Sequence, residues 1–202
     1  MRPATNAAPF EDIGLDTARL RLRPYEATDA RRLSYLAGDY DVAKMCGRIP
    51  HPYPVLIAEG WIALQAAARR RGEDYPFAVV LPRDGLIGSC GVSRKAGSAN
   101  EPHADEWELG YWIGRPYWGL GYASEAAAAV MDWARDQLGA RVFTAGHFDD
   151  NPASGAVLRK LGFARSGEAE LFGLARARTS PAQRYVWPEG AVPANPVGRT
   201  QH

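Results

Sequence analysis

Alternating apolar and polar positions mark the strands of this chain. From Thr17 to Tyr25 the alternation centres on Leu20 and Leu22 and predicts a short strand, followed by a helix capped at Thr28 or Asp29 and running through Leu33 and Leu36. Asp39 to Pro54 has little strand character. Its Pro50-His51-Pro52-Tyr53-Pro54 run forbids helix and favours a stiff extended loop. The spacing of Leu56, Trp61, Leu64 and Ala68 then predicts a helix ending in Arg69, Arg70 and Arg71, with Gly72 as its stop. Two apolar runs, Tyr75 to Leu81 and Leu86 to Val92, flank the turn residues Pro82-Arg83-Asp84-Gly85 and predict an antiparallel hairpin.

A third strand is expected over Glu106 to Ile113. Period two puts Trp107, Leu109, Tyr111 and Ile113 on one face and Glu108, Gly110 and Trp112 on the other. The order then changes to a helix from about Tyr122 to Leu138, a strand from Arg141 to Gly146, a helix from Pro152 to Leu161, and strand character at Tyr185 to Trp187. Antiparallel strands followed by strand–helix–strand units predict a mixed α/β domain. Gly167 to Ala182 shows no periodicity that decides between an acceptor wall and a subunit contact.

Composition narrows the function classes. The 202 residues are 46% hydrophobic, enough for one domain with a sizeable core, expected over residues 13–189 between mobile ends at 1–12 and 190–202. The 24 Lys and Arg against 23 Asp and Glu leave a formal charge of +1, so there is no bulk electrostatic case for nucleic-acid binding. Cys46 and Cys90 form no metal-ligand or disulfide pattern, so no metal is expected and a reducing cytoplasm fits. The N-terminal residues carry no apolar run. The alanine-rich stretch Ala123 to Ala134 is interrupted by Glu125 and Asp132, so neither a signal peptide nor a membrane span is predicted.

The segment Ile113 to Glu125 carries the chemistry. Gly119 and Gly121 lie between a predicted strand and a predicted helix, where glycines allow a tight turn with inward N–H groups and the helix adds its positive end. Such a turn suits a diphosphate without much side-chain charge, although a structural turn reads the same way. No Lys-Ser/Thr follows the glycines, which argues against a Walker loop. No acidic residue stands about twenty positions on at the end of a second strand, which argues against a dinucleotide fold.

Thr17-Ala18-Arg19-Leu20-Arg21-Leu22-Arg23-Pro24, Glu108-Leu109-Gly110-Tyr111-Trp112-Ile113 leading into Trp118-Gly119-Leu120-Gly121-Tyr122-Ala123-Ser124-Glu125-Ala126, and Asn151 to Phe163 together resemble the GNAT acetyltransferase superfamily, in particular its RimJ/RimL-type branch. The resemblance implies a single mixed, mostly antiparallel sheet with flanking helices and a splayed central pair of strands. It also implies acetyl-CoA as cosubstrate, with its pyrophosphate on Trp118, Gly119, Leu120, Gly121, Tyr122, Ala123 and Ser124 and its pantetheine beside Trp112 and Ile113. The family's pyrophosphate motif usually begins with Gln or Arg where this chain has Pro116, and Arg115 next door is the candidate substitute. Asn151 is implied near the pantetheine and Ser154 near the thiol sulfur, although Asn151 is equally a good helix cap and Ser154 an ordinary first-turn hydroxyl.

The chemistry sets further requirements. An α-amino group titrates near ~8 and a lysine amine near ~10, so a base must take a proton from the amine. The oxyanion needs a donor, for which a backbone N–H near Tyr111 to Ile113 is the candidate, and the thiolate needs an acid. Glu108 is the candidate base, set against the reading of a solvated acid like Asp105 and Glu106. Ser154 is the candidate acid, and neither cysteine is required as a nucleophile. The resemblance to this branch implies that the proline loop walls the acceptor side, making His51 and Tyr53 substrate-binding candidates. Trp61 and Trp133 read as core and Arg69 to Arg71 as a solvated helix end. The expected enzyme, a monomer or homodimer, acetylates a primary amine, either a protein N-terminus or a small molecule. The alternatives are a silent acyl-CoA-binding module and an unrelated nucleotide-binding domain.

Overall fold

Strand alternation along the chain produces one eight-stranded sheet. The computed structural model describes residues 13–94 and 106–187, and the expectations for residues 1–12, Asp105 and 188–202 lie outside them. The strands are β1 (Leu15–Asp16), β2 (Arg21–Arg23), β3 (Asp74–Leu81), β4 (Gly85–Arg94), β5 (Glu106–Ile113), β6 (Val142–Phe148), β7 (Ala164–Gly173) and β8 (Arg178–Trp187). Their order in the sheet is β1-β2-β3-β4-β5-β6-β8-β7. Every neighbouring pair is antiparallel except β5 and β6, which the crossover helix joins in parallel. The expected mixed, mostly antiparallel sheet is therefore present.

The helices are α1 (Ala30–Ala37), α2 (Tyr40–Ala43), α3 (Val55–Arg70), α4 (Tyr122–Leu138) and α5 (Pro152–Lys160). They divide the core by sheet face. One cluster packs Phe77, Ile87, Trp107 and Phe143 against Val130, Met131 and Trp133 of α4 and Leu158 of α5; a smaller one packs Ala78 and Leu86 against Leu33 of α1 and Ala58 of α3. Gly155 lets α5 sit on β6, because a Cβ there would come within 2.6 Å of His147 Nε2.

Four sequence expectations change. The strand expected over Thr17 to Tyr25 shrinks to β2, Arg21–Arg23, with β1 lying before it, because Thr17 N–H donates to the Leu20 carbonyl at 2.9 Å and closes a tight connection between the two. The Asp39 to Pro54 stretch contains the short α2, nucleated by Asp39 Oδ1, which accepts from Asp41 N–H at 2.9 Å. Leu56 and Leu64 of α3 face outward, while Ala58, Gln65 and Arg69 form the buried stripe. Small Ala58 permits close packing, and Arg69 turns inward to donate to the Pro76 carbonyl at 3.3 Å instead of standing solvated. Residues 167–182 are the β7–β8 hairpin, with a register shift between Arg165 and Gly167.

Candidate active site

The β5–β6 ladder has three register pairs, ending at Glu108 opposite Thr144. Beyond them β5 stays paired with β4 as far as Ile113, and β6 stays paired with β8 as far as Phe148, so the two strands diverge. Gly114 N–H donates to the Ile87 carbonyl at 2.8 Å on the β4 side. Alternation along the strand then turns the backbone groups of Tyr111 and Ile113 toward the gap. A cavity of about 960 Å³ lies at the gap and is lined by residues from both faces of β5.

The glycine turn lies at one end of this cavity. Gly119 (φ +74°) and Gly121 (φ +82°) are left-handed, a conformation that costs other residues about 1–2 kcal/mol. Gly121 is the N-terminal cap of α4, so the first N–H groups of the helix, on Tyr122, Ala123 and Ser124, have no partner within it. Those three residues line the cavity with Trp118, Gly119 and Gly121, whereas the Leu120 side chain is exposed and outside its walls. Trp118 is anchored by its indole Nε1, which donates to the Ile113 carbonyl at 2.6 Å. Arg115 is ion-paired with Asp39 at 3.4 Å and Asp41 at 3.2 Å instead of reaching the turn. The groups the turn itself can offer an anion are its backbone N–H donors.

A buried carboxylate holds the turn from behind. Glu125 Oε1 accepts from the Thr17 hydroxyl at 2.6 Å and from Arg19 N–H at 2.9 Å, while Oε2 accepts from Arg19 Nε at 2.7 Å. Burial pushes the Glu125 carboxyl up, but the Thr17 and Arg19 hydrogen bonds outweigh it and hold the group below its ordinary value. Sequence reasoning quoted all three residues as motif letters without a role. Nothing in their spacing brings residues about a hundred positions apart together.

Across the gap, Asn151 Oδ1 accepts from Ser154 N–H at 3.3 Å and caps α5, and both residues line the cavity with Trp112 and Ile113. Tyr111 was missed as a side chain. Its hydroxyl lies 2.9 Å from Ser154 Oγ and donates to the Ser154 carbonyl at 3.1 Å. Burial pushes the Tyr111 phenol far up, against the opposing pull of Ser154, so it stays protonated. Glu108 lines the cavity from the opposite face of β5, and its Oε1 is 3.7 Å from Arg184 Nη1.

Tyr53 also lines the cavity, but His51 does not. The His51 ring is exposed, bonded through Nδ1 to the Gly38 carbonyl at 2.9 Å and set edge-on against Tyr40. Trp133 is core as expected, whereas half-buried Trp61 forms part of the cavity wall. Burial pushes the Cys46 thiol up to about 12, so it is not a thiolate nucleophile at neutral pH.

Residues 19–164 match the acetyltransferase (GNAT) domain family. The chain belongs to this family. Membership makes it an acetyl-CoA-dependent acyltransferase of the N-acetyltransferase type. An uncharacterized N-acetyltransferase p20 from Bacillus licheniformis is 29% identical over 168 residues, covering 81% of this chain and 89% of the relative. Among solved structures, the fold of this GNAT chain is similar to Mycobacterium smegmatis RimJ in complex with CoA-disulfide (TM-score 0.75, 20% identity, 89% of this chain and 88% of that one). It is also similar to ribosomal-protein-S5-alanine acetyltransferase from Vibrio fischeri (TM-score 0.75, 17% identity, 89% of this chain and 98% of that one). The left-handed turn, the free end of α4 and the one-sided edge of β5 fit a coenzyme A molecule running from the turn into the gap. Among the described residues no helix is long and apolar enough to cross a membrane.

Proposed function

We propose that this GNAT domain, extending over residues 13–189, transfers the acetyl group of acetyl-CoA directly to a primary amine. The observation that carries the reading is one cavity joining a left-handed glycine turn at the head of α4 to the gap between β5 and β6, with Glu108 and Ser154 both in its lining. The diphosphate binds the N–H groups of Trp118 to Ser124, and Asn151, Trp112 and Ile113 flank the pantetheine arm. Glu108 takes the proton as the amine nitrogen bonds to the acetyl carbon. The backbone N–H of Tyr111 or Ile113 stabilises the developing oxyanion. The carbon–sulfur bond breaks as the departing thiolate takes a proton through Ser154, whose hydroxyl is oriented by Tyr111 and regains its proton from solvent, while Glu108 returns its own to solvent. The products are an amide and free coenzyme A.

Acceptors of the kind named for the ribosomal-protein acetyltransferase neighbours, protein N-termini, and small amines both satisfy this chemistry. Whole-cell extract incubated with the protein and isotopically labelled acetyl-CoA, followed by mass spectrometry, tests the reading. Labelled amides support it. Tight coenzyme A binding with no labelled product and no amine-stimulated thiol release favours a silent acyl-CoA-binding module.

A further inference from the structure

The acceptor side of the cavity has a charged end and an aromatic end, separated by a low floor of Pro76, Gly91 and Gly110. Across β3, β4 and β5, Asp74, Ser93 and Glu108 stand opposite one another in register. Two residues along the strands the same face presents Pro76, Gly91 and Gly110, and two residues further Ala78, Ser89 and Trp112. Each step is about 6.6 Å along the strand. The first row carries the charge. Arg48 Nη2 donates to Ser93 Oγ at 3.3 Å beside Asp74, and Arg184 faces Glu108. At Gly110 an added Cβ would meet nothing within 4 Å, so the floor beside the gap is open space rather than packed protein.

The far end is apolar. Trp61, Tyr53 and Ile49 pack on the same apolar cluster as Trp112, and all four line the cavity. The Trp61 ring is fixed from behind by Tyr25, edge-on at a centroid distance of 4.9 Å. Ser34 Oγ donates to the Tyr53 carbonyl at 2.6 Å and ties down the loop that carries that ring. These walls are mostly ring and methylene surface, with the Tyr53 hydroxyl and the Trp indole N–H groups as their few polar atoms, so a large polar body buried there would lose more water contacts than it regains. A flat ring would gain edge and face contacts with rigid aromatic neighbours.

We infer that the acceptor is a primary amine joined by a short carbon spacer to an aromatic ring. The nitrogen lies over Gly110 within reach of Glu108, and the ring sits between Trp61, Tyr53 and Trp112. This inference rests on the acetyltransferase reading and narrows it to a substrate class. The group that carries the amine is either a free arylalkylamine or a peptide whose first residue is aromatic. Both present the same nitrogen, spacer and ring, and the products are the N-acetylated amine and free coenzyme A.

The test measures thiol release from acetyl-CoA with β-phenylethylamine, a tripeptide beginning with phenylalanine, a tripeptide beginning with serine, and a linear aliphatic diamine, with acetyl-CoA affinity determined alongside. The expected result is a kcat/KM at least about tenfold higher for a ring-bearing amine. The better of the two ring-bearing acceptors identifies the source. Trp61→Leu and Gly110→Val are each expected to lower that kcat/KM about tenfold with unchanged acetyl-CoA affinity. Gly110→Val keeps the test valid should Trp61→Leu unfold, since its side chain enters open space on a strand. Equal or better turnover of the serine peptide or the diamine overturns the inference and leaves the acetyltransferase reading standing, as does bound acetyl-CoA with no transfer to either ring-bearing amine. Failure to bind acetyl-CoA overturns both.

Discussion

Arg19 donates from Nε to Glu125 Oε2 at 2.7 Å and from Nη1 to the Leu120 carbonyl at 2.9 Å, with its guanidinium 4.5 Å above the Tyr122 ring. One side chain from the start of the sheet thus holds the first turn of α4 and the carbonyl between the two turn glycines. Glu125→Gln leaves Arg19 without its charge partner and is expected to lower stability by about 1–3 kcal/mol. Because the same contacts fix the turn, acetyl-CoA affinity should fall about tenfold, as calorimetry would measure. Unchanged affinity would show that the turn holds its shape without the strap.

The same carboxylate gives a pH dependence with a definite sign. Its folded-state pKa lies below the ordinary value of 4.5, so the folded state binds its proton less readily than the unfolded chain. Its stabilising contribution is complete above that ordinary value and is lost as pH falls through the lowered folded value. Thermal unfolding followed from pH 7 into the acid range (roughly pH 3) should show a smaller acid-induced drop in Glu125→Gln than in the unaltered protein.

Glu108 stands on the acceptor face of β5 and is expected to act on the amine rather than on the coenzyme. Glu108→Gln should lower kcat about 100-fold with little change in acetyl-CoA affinity. An unaltered pH–rate profile with full turnover would remove it from the mechanism.

Ser154 and Tyr111 share a 2.9 Å oxygen–oxygen contact, and their roles separate by substitution. Ser154→Ala should lower kcat about 10- to 100-fold by removing the donor to the thiolate. Tyr111→Phe should cost less, because Ser154 Oγ keeps its proton and loses only its orientation. If Tyr111→Phe proves the more damaging, the phenol itself is the donor.

Gly121 at φ +82° heads α4, and a side chain there is strained. Gly121→Ala should destabilise the fold by about 1–2 kcal/mol and weaken acetyl-CoA binding, measured by thermal shift with and without the coenzyme.

The strands β3 to β5 and the helices α4 and α5 were legible because each carries its own signal. The turn residues Pro82 to Gly85, strict alternation over Glu106 to Ile113, and glycines at both ends of α4 are local features of the chain. The face of α3 was not legible. Its leucines are more hydrophobic than its alanines, yet contact with α1 and β3 selects small Ala58 and turns Leu56 and Leu64 to solvent. The β7–β8 hairpin was missed because β7 is an edge strand whose residues are mostly exposed or half-buried, so it lacks a strong apolar period.

The candidate site divides the same way. The glycine turn and the strand face of Glu108 could be named from the letters, since tight turns and alternation are set by neighbours a few residues away, whereas Asn151 and Ser154 entered as site residues through the resemblance to the family. Arg19 behind the turn, Tyr111 on Ser154, Trp61 in the cavity wall and the displacement of His51 from it belong to the tertiary structure alone. Each depends on segments that approach one another only when the sheet closes, and no local preference of the chain encodes which side chains that closure brings within hydrogen-bonding or van der Waals distance.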